Sequence, residues 1–215
     1  MDKRFSTTKH SRQAGISTLI KALCLCSLML VQYGCTANPI APYEAQYSTK
    51  IKGIKVKATR KLEHLGNRQY RVSWQAKALW MQLKEWAEFQ IIDDGVLMPI
   101  SYHYRRKGLG SDRPIDIIFD HSNKKIRTRK GDKEAILDLP PRAYDKLTYQ
   151  VQLQLDLQQN PAAESLEYVV ANSHRLKHYR FTRQGSEPMN SAVGPTNALI
   201  FQKSGDNGLT TLWVS

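Results

Sequence analysis

His174 and His178 are four residues apart, the spacing at which a helix presents two metal ligands on one face. That chemistry needs a helix and, in a zinc hydrolase, a glutamate directly after the first histidine. Here Arg175 follows His174, and Leu176, Tyr179 and Phe181 read as strand, so no metal site is expected. His103 lies between Tyr102 and Tyr104 and should face away from both as a solvated side chain. Serine catalysis asks for a hydroxyl oriented by a base, most often on a G-x-S-x-G elbow, and the chain contains none. Gly108-Leu109-Gly110-Ser111 lacks the spacing of a phosphate-cradling loop and reads as a connection. Asp116 and Asp120 could pair as acid and base, but two acids on one strand are commonplace. With no catalytic constellation and no cofactor motif, the chain is expected to bind rather than to react.

Two residue classes could carry binding. Tyr70, Trp74, Trp80, Tyr102 and Tyr104 would line one face of a curved sheet, and an incompletely covered apolar face is a ligand cavity. Lys55, Lys57 and Lys61 share one strand face, Arg105-Arg106-Lys107 form a second basic cluster, and Lys124, Lys125, Arg127, Arg129 and Lys130 a third. The formal charge is +13; five of the 32 basic and one of the 19 acidic residues fall in residues 1–37, which leaves +9 for the remainder. A basic surface attracts anionic partners at long range, less so in salt. Basic grooves with interleaved aromatics also suit nucleic acid. For an exported chain, lipid headgroups or polysaccharide are the better match, and no nucleic acid is expected.

The elements that must hold these residues are mostly strands. In residues 54–62, Ile54, Val56, Ala58 and Leu62 alternate with Lys55, Lys57, Thr59 and Lys61, the period of a half-buried strand. Residues 70–80 repeat the pattern after the turn chemistry of Leu65-Gly66-Asn67, so the two segments predict a long hairpin. The phase changes near Trp80, since Leu79, Met81 and Leu83 lie on the other parity, and a bulge or sharp bend is expected there. After a turn at Asp93-Asp94-Gly95, strands are predicted at 97–105, 114–120 and 124–129, giving an antiparallel meander. Pro140-Pro141 breaks it. Residues 142–158 fit both strand and helix periods, but their few β-branched residues favour a helix packed on one face of the sheet. Strands resume at 166–171, 175–183, 197–203 and 208–214.

Residues 1–37 have the layout of an export signal: a basic stretch, the short apolar run at 22–31, then small residues. The run is too short to span a bilayer unaided. Cleavage is expected either before Cys35, as in a lipoprotein whose cysteine is lipidated, or after Ala37. Membrane contact is expected only in the first case. Cys24, Cys26 and Cys35 are the only cysteines, so residues 38–215 form one β-rich domain with no disulfide framework.

Tyr47 through Leu65-Gly66, Tyr70-Arg71-Val72, Glu88-Phe89, Asp94-Gly95, the stretch Tyr102 to Gly110 and Leu212-Trp213 together resemble the bacterial family catalogued as domain of unknown function 3108. The resemblance covers nearly all of the chain after the leader. It implies an exported, mainly β protein: a strongly bent antiparallel sheet, a half-barrel or open barrel with one packed helix, akin to the lipoprotein carriers. It also implies a further strand pair after Leu212-Trp213, so the chain, ending at Ser215, is expected to be shortened. The leading functional expectation is a non-enzymatic periplasmic or envelope protein binding a lipid, acyl chain or lipoprotein segment on the curved sheet. The alternatives are an assembly protein docking on an anionic envelope component through its basic strand face, and a polysaccharide or ester hydrolase.

Overall fold

The computed structural model describes residues 40–51, 53–92, 95–108, 113–191, 194–205 and 208–214, which belong to the unit Asn38–Ser215. The expected leader, Cys35, the Asp93-Asp94 turn pair and Leu109-Gly110-Ser111 lie outside the described residues. Eight strands run as an antiparallel meander in sequence order: β1 (Tyr43–Ile51), β2 (Ile54–Gly66), β3 (Gln69–Ala78), β4 (Met81–Ile91), β5 (Leu97–Lys107), β6 (Ile115–Asp120), β7 (Lys125–Lys130) and β8 (Lys133–Asp138). After Pro140-Pro141 come the two-residue β9 (Ala143–Tyr144) and α1 (Thr148–Gln159). Strands β10 (Ser165–Ala171), β11 (Leu176–Ser191), β12 (Gly194–Ser204) and β13 (Thr210–Val214) follow. They form a second sheet in the order β13-β12-β11-β10-β9, with only the β9–β10 pair parallel.

The turns explain the register. Asn67 and Arg68 both have positive φ (48° and 60°), the mirror-image turn whose twist suits a two-residue hairpin, with asparagine at the first central position. The phase change near Trp80 is a second hairpin of the same length rather than a bulge. Ala78 pairs with Met81, and Leu79 and Trp80 form the loop. Neither is a usual turn residue, which is why alternation alone read the reversal as a bend. The register shifts lie elsewhere: between His64 and Gly66 beside the β2–β3 turn, where Glu88-Phe89 oppose Ser101 and Pro99, and where Arg183 and Gly185 break the register with β12. Strand β8, not anticipated, pairs with β7 along its whole length, and β11 runs eight residues past its expected end.

The helix expected over 142–158 occupies 148–159. It is enclosed on most sides: Tyr149, Val151, Gln152, Leu153, Leu155 and Leu157 are all buried, while the stripe of Gln150, Gln154 and Gln158 is less so. A helix apolar on several sides must be enclosed. Both sheets contribute to the enclosing core, with Leu62, Tyr70, Val72, Phe89 and Ile126 from the first and Val170, Phe181 and Phe201 from the second. Among the described residues no strand pairing joins β1 to β13 or β8 to β9, so the barrel-like wall stays open at its edges.

Candidate ligand-binding site

Burial on the inner face of the first sheet falls off along the strands. On β2, Leu62 is 1% exposed, Ala58 8% and Ile54 41%. The cause is where the helix sits. Arg60, on the inner parity of β2, donates from Nη1 to Oε1 of Gln150 at 2.5 Å and from Nε to the Tyr43 hydroxyl. Glu85, inner and buried on β4, receives Lys146 Nζ at 2.7 Å and the Tyr102 hydroxyl at 3.1 Å. Two turns on, Gln152 Oε1 accepts from the Leu97 amide at 2.8 Å. The helix therefore starts at mid-strand and runs toward the β4–β5 turn, leaving the end with the β1–β2 and β3–β4 turns beyond its reach.

None of Arg60, Glu85, Lys146, Gln150 and Gln152 was anticipated. A signal existed for two of them. Arg60 interrupts the apolar parity of Ile54, Val56, Ala58 and Leu62, and Glu85 that of Leu83, Ala87 and Phe89. A charged side chain on an inward parity must have a partner, because burying it unpaired is costly.

The five aromatics expected to form the site are not one site. Tyr70 is fully buried and stacked on Phe89, and Tyr102 is 4% exposed with its hydroxyl on Glu85. Burial and then the Glu85 charge push the Tyr102 ionisation upward. Both are core. Trp74 and Tyr104 are half-buried against the core, with Trp74 5.6 Å from the Tyr47 ring. Trp80 stands in the β3–β4 turn, 65% exposed.

The basic residues also separate. Lys55, Lys57 and Lys77 line a shallow outer depression of about 360 Å³ with Thr59, Gln75 and Leu79. Lys61 instead pairs with Glu63 at 2.8 Å, a hydrogen bond that raises its pKa. Lys107 ends β5 on the outer parity, while Arg106, opposite Leu83, lies on the inner one.

Arg105 is drawn into an ion network. Asp116 Oδ1 meets His103 Nδ1 at 2.6 Å and Arg105 Nη2 at 2.7 Å, and its Oδ2 meets Arg129 at 3.2 Å. Burial opposes ionisation of Asp116, but the hydrogen bonds from His103, Arg105 and Arg129 together outweigh it and lower the pKa to about 2. His103 is thus not simply solvated, since its ring also stacks on Trp86 at 4.8 Å. A carboxylate-held histidine is the orienting half of a catalytic pair. No hydroxyl partners it among the described residues: that of Thr128, one residue before Arg129, is buried on the opposite face of the sheet and donates to the Ser173 carbonyl. Asp120 is occupied separately, capping the turn at Asn123 and facing Arg127 at 3.5 Å. His174 sits in the β10–β11 turn and His178 in β11, not on a helix. No cluster of three metal-ligating side chains occurs among the described residues.

A largely apolar opening lies at the seam between the start of β1, the first half of β12 and the end of β13, where β1 and β13 have no strand pairing among the described residues. It is a cleft of about 480 Å³, within the usual range for small-molecule sites. Ile40, Pro42 and Tyr43 form one wall, Leu199 and Val214 the other, and Leu157 of α1 the floor. Gln154, Gln158 and Asn197 add polar groups at its margin. Nothing local in the sequence marks it, because its walls come from segments more than 100 residues apart.

No curated protein matches the sequence. Among solved structures the chain is similar to the crystal structure of a β-barrel-like protein of domain of unknown function DUF1849 from Brucella abortus. The TM-score is 0.52 at 9% identity, over 82% of this chain and 87% of that one. This likeness supports the fold: a mainly β, barrel-like wall around one helix. By sequence, residues 43–215 match the family described as "Protein of unknown function (DUF3108)", and the chain belongs to that family.

Proposed function

We propose that this chain is an exported, non-enzymatic protein that binds the apolar part of an amphipathic ligand, an acyl chain of a lipid or lipoprotein, in the cleft between β1 and β13. The seam cleft carries the reading. The concave face that the aromatic pattern pointed to is occupied by α1 where it is deepest, so a ligand has to enter elsewhere. The seam combines apolar walls, a helix floor and a few amide side chains able to orient a polar head. Burial of apolar surface supplies the affinity, at about 25 cal/mol per Å². The polar groups around Asp116 bond to one another, which supports a structural rather than a catalytic role for them.

The test is displacement of a dansyl-labelled undecanoate from purified protein, together with native mass spectrometry for co-purified lipid. Ala41, exposed at the cleft rim, can be replaced without touching the core. Binding in the parent and its loss in Ala41→Trp is the expected result. Absence of probe binding and of any co-purified lipid, or equal binding by Ala41→Trp, would refute the seam as the site.

A further inference from the structure

We infer that the hairpin end of the first sheet docks on an anionic lipid surface, with Leu79 and Trp80 entering the interface and a row of lysines lying over the headgroups. The register places the parts together: Lys50 pairs with Lys55, Lys57 with Lys77, Ala78 with Met81, and Gln82 with Lys107. The β1–β2 turn, the β3–β4 turn and the end of β5 therefore lie side by side at one end of the meander.

Three observations there point to a membrane. First, Leu79 and Trp80 are 69% and 65% exposed at the tip, with Met81 (44%) and Ile54 (41%) beside them. Tryptophan is the residue favoured at a bilayer interface.

Second, the charge that β1 to β5 bring to this end has one sign. Residues 47–59, 74–84 and 104–108 contain no aspartate or glutamate. Strand alternation puts Lys50, Lys55, Lys57, Lys77 and Lys107 on the outer face. None of the five makes an ion pair among the described residues, and two like-charged pairs stand directly opposite each other across the ladder. Such pairs destabilise a sheet on their own, so an external anion is what would relieve them. Anionic headgroups attract clustered lysines in this way, and an apolar anchor with a basic cluster is the two-part signal that stable attachment needs.

Third, the apolar tip is built at a conformational cost. Leu79 has φ 49°, where glycine is favoured at the first central position of a two-residue hairpin. Gly108 packs against the same turn, and a Cβ on it would lie 3.0 Å from Met81 Cα and from the Trp80 carbonyl. The chain uses asparagine in the equivalent β2–β3 turn, so a large exposed residue at Leu79 is not imposed by the topology. A soluble polyanion would satisfy the lysines but has no use for Leu79 and Trp80, which favours the lipid surface. This contact is independent of the seam cleft and of any acyl group on Cys35.

Vesicle flotation of the full-length chain tests it, with phosphatidylcholine alone against equal parts phosphatidylcholine and phosphatidylglycerol. Any contribution of residues 1–37 is common to all variants. Binding should favour the anionic vesicles and weaken with salt. Leu79→Gly with Trp80→Asn, which installs ordinary turn residues and should melt no lower than the parent, is expected to reduce partition about tenfold. Lys55→Glu, Lys57→Glu and Lys77→Glu together should reduce it roughly a hundredfold, with Lys→Gln at the same positions as a milder folded control. Equal binding to both vesicle types, parental binding by the turn variant, or retention on sulfated dextran with no vesicle binding would each overturn the proposal.

Discussion

Asp145 is completely buried just ahead of α1, and its carboxylate does the work of a helix cap: Oδ1 accepts from the Leu147 and Thr148 amides at 2.8 and 3.0 Å, and Oδ2 from the Thr148 hydroxyl at 2.8 Å. Burial disfavours the charge more than these donors favour it, and the pKa rises to about 6. An unfolded aspartate ionises near 4, so between roughly pH 4 and 6 the folded chain holds more protons than the unfolded one. Stability therefore falls as pH rises through that window, by about 3 kcal/mol in all, and is flat in this respect above it. Asp145→Asn keeps an acceptor for both amides and removes the titration. Urea unfolding midpoints of the variant should lose the downward slope between pH 4 and 6; a slope equal to the parent's would show that Asp145 is not its source. Asp116 acts in the opposite sense, its stabilisation present above about pH 4 and lost as the pH falls toward 2. Residue identity and parity made the inward set legible, Tyr70 and Tyr102 included. What parity does not contain is depth: Tyr70 and Trp74 share a face, yet only the first lies under the helix. That difference is set by contacts such as Arg60–Gln150 and Glu85–Lys146, which local pattern cannot reveal.

Most strands were legible as elements because one face of each is wet, which enforces the two-residue period. The misreadings have local causes. The reversal at Leu79-Trp80 lacks turn residues, and β8 exposes Ile136 (69%), so its apolar residues do not alternate cleanly. The helix was ambiguous because enclosure on most sides erases amphipathic contrast. What fixes its position is polar. Gln152 accepts from the Leu97 amide at the start of β5 and donates to Asp156, whose other oxygen takes the Tyr168 hydroxyl at 2.6 Å. Gln152→Leu would preserve bulk but leave the buried Leu97 amide without its acceptor, at a cost of about 1–3 kcal/mol. The check is a lower denaturant midpoint together with faster amide exchange at Leu97 than at Ile126, deep in β7. Uniformly faster exchange would mean the side chain contributes only to global packing.

At the scale of the whole unit, two sheets with no strand pairing between them among the described residues share one helix as their common core. The Thr128 hydroxyl, donating to the Ser173 carbonyl at 2.6 Å, ties β7 to the β10–β11 turn at the other side of the wall. If the helix is the shared core, neither sheet can keep its inner face buried without the other. Tyr149 makes this concrete, packing on Tyr168, Tyr179 and Phe181 of the second sheet while its helix is held by Arg60 and Glu85 of the first. Unfolding should then be a single cooperative transition. Tryptophans lie on both sheets, Trp86 on β4 and Trp213 on β13, so each can be made the sole reporter by replacing the other three with phenylalanine. Urea transitions followed by Trp86 alone, by Trp213 alone and by far-ultraviolet circular dichroism should coincide. An earlier transition for Trp213 would mean that the second sheet opens separately. The seam, which Val214 of that edge helps to wall, would then be a gate whose opening admits ligand rather than a cleft of fixed shape.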